Sequence, residues 1–267
     1  MKILLSALMI MVATVASPTQ VSSPLAELLA KYVDDEGLVD YAGLKADRKG
    51  LDRVCSQFAE IDPTVLASLS EANRMTIWLN CYNAFVLKLV VDNYPIQPSM
   101  GKTQYPANSI RQIPGAWEHK KFRAFRRDVT LDEIEHQILR VKFQEPRIHM
   151  ALVNASMSAP RLRHEPYDTE KLDAQLDDQA KVFFSDLRNF LIDREAKEVW
   201  ASPIFEWFVD DFLPEATKEN PRHIAQQKSL SAFAARYVSA EDARYLAEGD
   251  YVIKYYDYDW TLNEQPQ

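Results

Sequence analysis

Glycine is scarce in this chain, six residues in 267, and neither G-x-G-x-x-G nor G-x-x-x-x-G-K-[ST] occurs. The common backbone cradles for nucleotide phosphates are therefore missing. Cysteine is scarcer still. Cys55 and Cys81 are the two, with no C-x-x-C between them, which argues against a cysteine-rich zinc site. The five histidines, His119, His136, His149, His164 and His223, show no close metal spacing. No metal and no cofactor is expected. Positive charge is outweighed, 31 basic against 39 acidic side chains for a net charge of −8. Phosphate backbones need a basic footprint, so nucleic acid is not expected as a partner. Beyond the N-terminus no apolar run reaches the ~20 residues of a membrane helix, so no stable membrane span is expected.

What is present reads as a globular chain with a leader. Hydrophobic residues make up 47% and charged residues 26%, ordinary values for a soluble domain. Met1-Lys2 precedes an apolar run from Ile3 to Ala16, followed by Ser17, Pro18 and Thr19. A positive start, a short apolar stretch and a small-residue exit describe a secretory signal peptide over 1–16, with cleavage after Ala16. Residues 17–23 are read as a flexible leader and 24–267 as one globular domain. The expected location is periplasmic or secreted. That setting is oxidising, which makes Cys55 and Cys81 candidates for a disulfide. The alternative is two separate thiols.

Periodicity and punctuation predict mostly helices. They are expected over Pro24–Val33, Leu44–Ile61, Glu71–Asn93, Thr169–Leu187, Pro203–Phe212 and Arg222–Val238, with a further turn starting at Pro63. Phe122–Val129 predicts a hairpin. Thr130 and Glu133 have capping-box spacing. Ile148–Val153 reads as the best strand, Phe190–Ile192 and Glu198–Ala201 as a strand pair, and Tyr251–Tyr256 as a terminal strand. The fold class is α+β, a mostly helical single domain around a small antiparallel sheet.

Polar residues stand at three places where apolar ones are expected. On the helix around Ile77–Asp92, Asn80 and Asn83 share a side with Leu87 and Val90 at 100° per residue, while Cys81 falls with Lys88 and Asp92 on the wetter side. A buried Asn must find partners or cost ~1–3 kcal/mol. The pair either ties the helix to neighbouring backbone or binds a ligand. On Leu131–Arg140, Glu135 falls in the middle of the apolar face and His136 on its edge. A buried carboxylate needs a partner, and Arg111, Arg147 and Arg161 are the candidates. In the segment Arg147 to Pro160, His149 lies on the strand, with Asn154, Ser156 and Ser158 in the small-residue turn after it. Nucleophiles and oxyanion donors are displayed on such turns, although no G-x-S-x-G is present.

These residues carry a family resemblance. Trp78-Leu79-Asn80-Cys81-Tyr82-Asn83-Ala84 resembles the W-[IL]-N-x-Y-N-A helix of the domain of unknown function 547 family. Ser109-Ile110-Arg111, Leu131-Asp132-Glu133-Ile134-Glu135-His136, Pro146-Arg147-Ile148-His149-Met150-Ala151-Leu152 and Tyr258-Asp259-Trp260-Thr261-Leu262-Asn263 resemble its further motifs in order. The resemblance implies a secreted or envelope protein when bacterial, and no settled activity. The family pattern continues A-L-x-C-x-S-x-S-C-P, whereas this chain has Asn154 and Ala159 at the two Cys positions. A thiol nucleophile beside His149 is therefore missing. A helix followed by a His-bearing strand is also similar to papain-like and transglutaminase-like thiol enzymes, a likeness of architecture alone.

Two functions follow as expectations. One is a non-catalytic secreted or periplasmic protein that binds a small molecule or an envelope protein, with Asn80, Asn83, Arg147 and Arg161 as ligand-binding candidates. The other is a hydrolase or acyl-transfer enzyme. His149 would be its base, with Glu135, His136, Asn154 and Ser156 as further catalytic candidates.

Overall fold

A computed structural model describes residues 18–213 and 222–266, with side chains described over 23–213 and 224–266. The signal peptide read at 1–16 lies outside the described residues. Helix α1 (Pro18–Tyr32) begins inside the stretch read as leader. It buries Leu25, Leu28, Leu29 and Tyr32, the i, i+3, i+4, i+7 stripe of an amphipathic helix.

The expected helix over Leu44–Ile61 is two helices, α2 (Tyr41–Ala46) and α3 (Lys49–Glu60). On α3, Leu51, Val54, Cys55 and Phe58 repeat the same stripe and face α1. A short α4 (Pro63–Ser68) follows, with Pro at its start. Helix α5 (Glu71–Asn93) has the bounds its periodicity predicts, and Ser70 accepts from Asn73 N at its N-cap. Every residue from Met75 to Leu87 is buried. The wetter side read for Cys81 therefore does not exist at that level. Lys88 and Asp92 lie about two and three turns farther on, where they pair at 2.9 Å.

The hairpin is present as β1 (Phe122–Ala124) and β2 (Arg127–Val129), antiparallel. Thr130 Oγ1 accepts from Glu133 N at 3.1 Å, as its spacing predicts. The helix it starts widens to i→i+5 bonding over Glu133–Leu139, then tightens into α6 (Arg140–Phe143).

Ile148–Val153 is not a strand. Ile148–Ala151 is a helical turn, α7, closed by Leu152 N donating to Ile148 O at 2.9 Å. All six residues are buried, and a short run buried on every side carries no period that separates strand from helix. With that strand gone, the helix-plus-His-strand likeness to papain-like and transglutaminase-like enzymes loses its basis.

Helix α8 (Leu172–Ser185) leads into β3 (Phe190–Asp193) and β4 (Glu198–Ala201), an antiparallel pair as expected. Then come α9 (Ile204–Trp207), α10 (Val209–Phe212), α11 (Arg222–Ala234) and α12 (Ala240–Glu248). The terminal strand β5 (Val252–Tyr255) pairs parallel to β4, because these helices carry the chain back to the same end of the sheet.

The chain is thus a mostly helical α+β fold. Its hub is α5, around which the larger core gathers. A second, Phe-rich core surrounds Phe184, Phe205 and Phe233. Helices α7 and α8 contribute to both: Ile148, Leu172 and Leu176 to the first, Met150, Ala180 and Phe183 to the second.

Cys55 and Cys81 are buried free thiols on α3 and α5. Of the two alternatives for the pair, separate thiols are what the structure shows, and the candidate disulfide is not formed.

Candidate functional site

The segment from His149 to Asn154 is held by one side chain of α5, Asn83, and by the C-terminal stretch through Tyr258. Asn83 Nδ2 donates to Ala151 O and its Oδ1 accepts from Val153 N, both at 3.0 Å. Asn80 does the same one turn earlier with Tyr167, donating to its carbonyl and accepting from its N–H at 2.9 Å. Both asparagines are therefore scaffold. Behind the turn, Leu262 bridges Ser156, Met157 N donates to Thr261 O, and the Tyr41 hydroxyl donates to Asn263 Oδ1. This pinning sets Tyr258 and Trp260 beside the turn.

A cleft of about 200 Å³ opens here. Each resembling motif supplies a wall: Tyr82 from α5, Arg111, Glu135 with His136, His149, and Trp260. Asn154 also lines it. Larger cavities exist, one of about 290 Å³ holding Ser156 and Arg161 and one of about 600 Å³ beside Cys55. Neither contains Glu135, His136 or His149, so size is a poorer guide than convergence.

His149 is buried and stacks on Phe208 with ring centres 4.1 Å apart. Its Nε2 lies 2.7 Å from Asp211 Oδ2. Arg140 also donates to that carboxylate, Nη2 to Oδ1 at 3.0 Å. Burial alone would push the Asp211 carboxyl up, but the hydrogen bonds from His149 and Arg140 outweigh it and hold it at about 2. An ionised carboxylate only accepts, so His149 donates from Nε2. Arg140 also reaches His136 Nδ1 at 2.9 Å. A guanidinium only donates, so the His136 Nδ1 accepts.

Glu135 has none of the expected arginines as an ion-pair partner. Its hydrogen bond comes from the Tyr82 hydroxyl, at 3.0 Å to Oε2, and Trp117 Nε1 donates to that hydroxyl in turn. Burial pushes the Tyr82 hydroxyl well above the ordinary phenol range. The helix around Glu135 is π-helical, a feature frequent at functional sites.

Asn154 donates to the Tyr258 hydroxyl at 2.8 Å, and Ser156 Oγ donates to Asn154 Oδ1 at 2.5 Å. Burial pushes the Tyr258 hydroxyl up to about 12. Ser156 lies outside the walls of the cleft and its hydroxyl is not bonded to His149. Arg147 lies outside them as well. It binds Glu145, Asp173 and Asp177 at 2.7–2.8 Å, which makes it a clamp between the α7 turn and α8. Arg161 lines the 290 Å³ cavity.

Residues 66–184 match the family described as "Protein of unknown function, DUF547". No curated protein and no solved structure matches the chain. The matched segment carries Tyr82, Arg111, Glu135, His136 and His149. Tyr258, Trp260 and Asp211 lie beyond it and complete the same site. Asp211 escaped the sequence reading. Its signal was an acidic pair, Asp210-Asp211, inside the aromatic stretch Phe205–Phe212, where a carboxylate needs a partner. Among the described residues no group of His, Cys, Asp and Glu has the arrangement of a metal site, and no helix is long and apolar enough to cross a membrane.

Proposed function

We propose that the protein binds a small molecule in this cleft without turning it over, and that it does so in the periplasm or outside the cell. The observation that carries the binding role is the convergence of sequence-distant motif residues on one opening. Its walls mix aromatic rings with a few directed polar groups, the usual make-up of a small-molecule site. The absence of turnover is supported by the bonding. Among the described residues, no serine, threonine or cysteine side chain is hydrogen-bonded to an imidazole, the arrangement an activated nucleophile needs. The location is supported by the N-terminal sequence, Met1 to Ala16. A library screen by thermal shift and NMR, with product analysis of each hit, tests the binding role. A saturable ligand recovered unchanged is the expected result. Reproducible ester or amide turnover, lost in His149→Ala, overturns it. Fractionation tests the location, and an unprocessed cytoplasmic chain overturns that.

One observation favours a hydrolase instead: His149 lines the cleft and is oriented by Asp211 behind it, the form of a positioned general base. Water would then be the nucleophile, since Ser156 is turned toward Asn154. Turnover that survives Ser156→Ala and disappears in His149→Ala is the result that reading requires.

A further inference from the structure

Two opposite charges line the cleft without meeting each other. Arg111 sits on a 3-10 turn, Ile110–Gln112, where Ser109 Oγ accepts from Arg111 N. The buried Gln112 side chain fixes the loop around it, accepting from Ser99 N and donating to the carbonyls of Lys102, Tyr105 and Pro106. The guanidinium carbon lies 4.1 Å from the Trp260 ring centre, 4.9 Å from that of Trp117 and 5.6 Å from that of Tyr105. Among the described residues its side chain makes no ion pair, and its Nε is buried with no hydrogen-bond partner. Aromatic rings satisfy the charge through its faces. They leave the in-plane N–H edge free, and that edge matches a carboxylate fork.

Glu135 is the counterpart, buried, lining the same cleft, and among the described residues bonded to Tyr82 alone. An ionised carboxylate has about four acceptor sites, so most of its capacity is unused. Glu118 and Asp132 add two more carboxylates at the walls, and Arg111 is the one arginine or lysine among them. A dianionic phosphate would meet a surplus of negative charge. A single carboxylate with a positive group beside it would not.

We infer that the ligand is a small zwitterion, its carboxylate held on the edge of Arg111 and its ammonium group on Glu135. The chemistry is that of a free amino acid, an ω-amino acid or a short peptide. The inference rests on the cleft being a binding site and adds the class of ligand.

Calorimetric titration of the full-length processed protein tests it. The probes are the twenty amino acids, β-alanine, γ-aminobutyrate and Gly-Gly dipeptides, so that several charge separations are sampled. For each binder the N-acetyl derivative removes the positive charge and the amide removes the negative one. The expected result is at least one zwitterion that binds saturably and loses at least about tenfold in affinity with either cap. Arg111→Gln should weaken the parent more than its amide, and Glu135→Gln should weaken the parent more than its N-acetyl form. The wild-type comparison stands even if a variant fails to fold. Equal binding of a parent and its capped forms overturns the inference. So does binding by none of the zwitterions. In that case uncharged fragments that still shift the Trp117 and Trp260 indole resonances leave the cleft as a binding site. If those fail too, the binding role falls with it.

Discussion

His149 and Asp211 stand 62 positions apart in the chain and 2.7 Å apart in space, Nε2 to Oδ2. The contact joins the α7 turn to α10. It also fixes the imidazole, which Phe208 covers on one face.

The pair makes stability depend on acid. The Asp211 carboxyl sits at about 2 against an ordinary 3.8. A depressed carboxyl stabilises the fold above its unfolded value and stops doing so as pH falls through its folded one. Up to about 2 kcal/mol should therefore be lost between roughly pH 4 and pH 2. Urea midpoints across that range measure it. Asp211→Asn should be less stable at pH 7 and should flatten the profile over the same window. An unchanged profile would mean the His149–Asp211 contact is absent in solution.

Glu135 and Tyr82 should respond unequally. Glu135→Gln keeps an acceptor for the Tyr82 hydroxyl and removes a buried charge that has no cationic partner, so it should cost less than about 1 kcal/mol. Tyr82→Phe leaves the carboxylate without its hydrogen bond and should cost about 1–3 kcal/mol. Chemical denaturation of both variants gives the comparison. The reverse order would place a cation on Glu135.

Asn83 carries two buried backbone bonds with one side chain. Asn83→Ala orphans the Ala151 carbonyl and the Val153 amide together, at a cost of about 2–4 kcal/mol. The His149 ring resonances should broaden in the same variant, because the turn that carries the imidazole has lost its anchor. A neutral variant would mean that water or a shifted backbone replaces both bonds.

The cysteines offer a test by chemistry. Burial pushes the Cys55 thiol up to about 12 and the Cys81 thiol well above its ordinary value. Thiolate is the reactive form. Iodoacetamide should therefore leave both untouched in the native protein and label both in urea without a reductant. A mass two hydrogen atoms lighter, with no labelling in urea, would show that the disulfide forms after all.

Some of this was legible in the chain. Helix α5 reveals its bounds through a capping Ser70, a long run without Gly or Pro and the Pro95 just past its end, and those signals are local. The hairpin at Phe122–Val129 and the β3–β4 pair announce themselves the same way. Asn80, Asn83, Glu135 and His149 stand out because a polar group in an apolar setting needs a partner, a requirement visible without knowing the partner. The α7 turn misleads, because a segment buried on every side has no exposed face to mark its period. The parallel pairing of β5 is equally silent, since direction depends on the path of the helices between.

The helical character of the fold, the central helix and the short list of polar residues that must be satisfied or used all follow from local order along the chain. Propensity, capping and burial set them, and these act over a few residues. Which of those residues meet is a matter of packing. Asn80, Asn83 and Arg147 went to the scaffold, Ser156 to a neighbouring asparagine, and Glu135 to a tyrosine rather than an arginine. The same packing put Asp211 on His149 and caged Arg111 in rings from three separate segments. Side-chain pairing is set by long-range contacts, and no spacing along the chain encodes them.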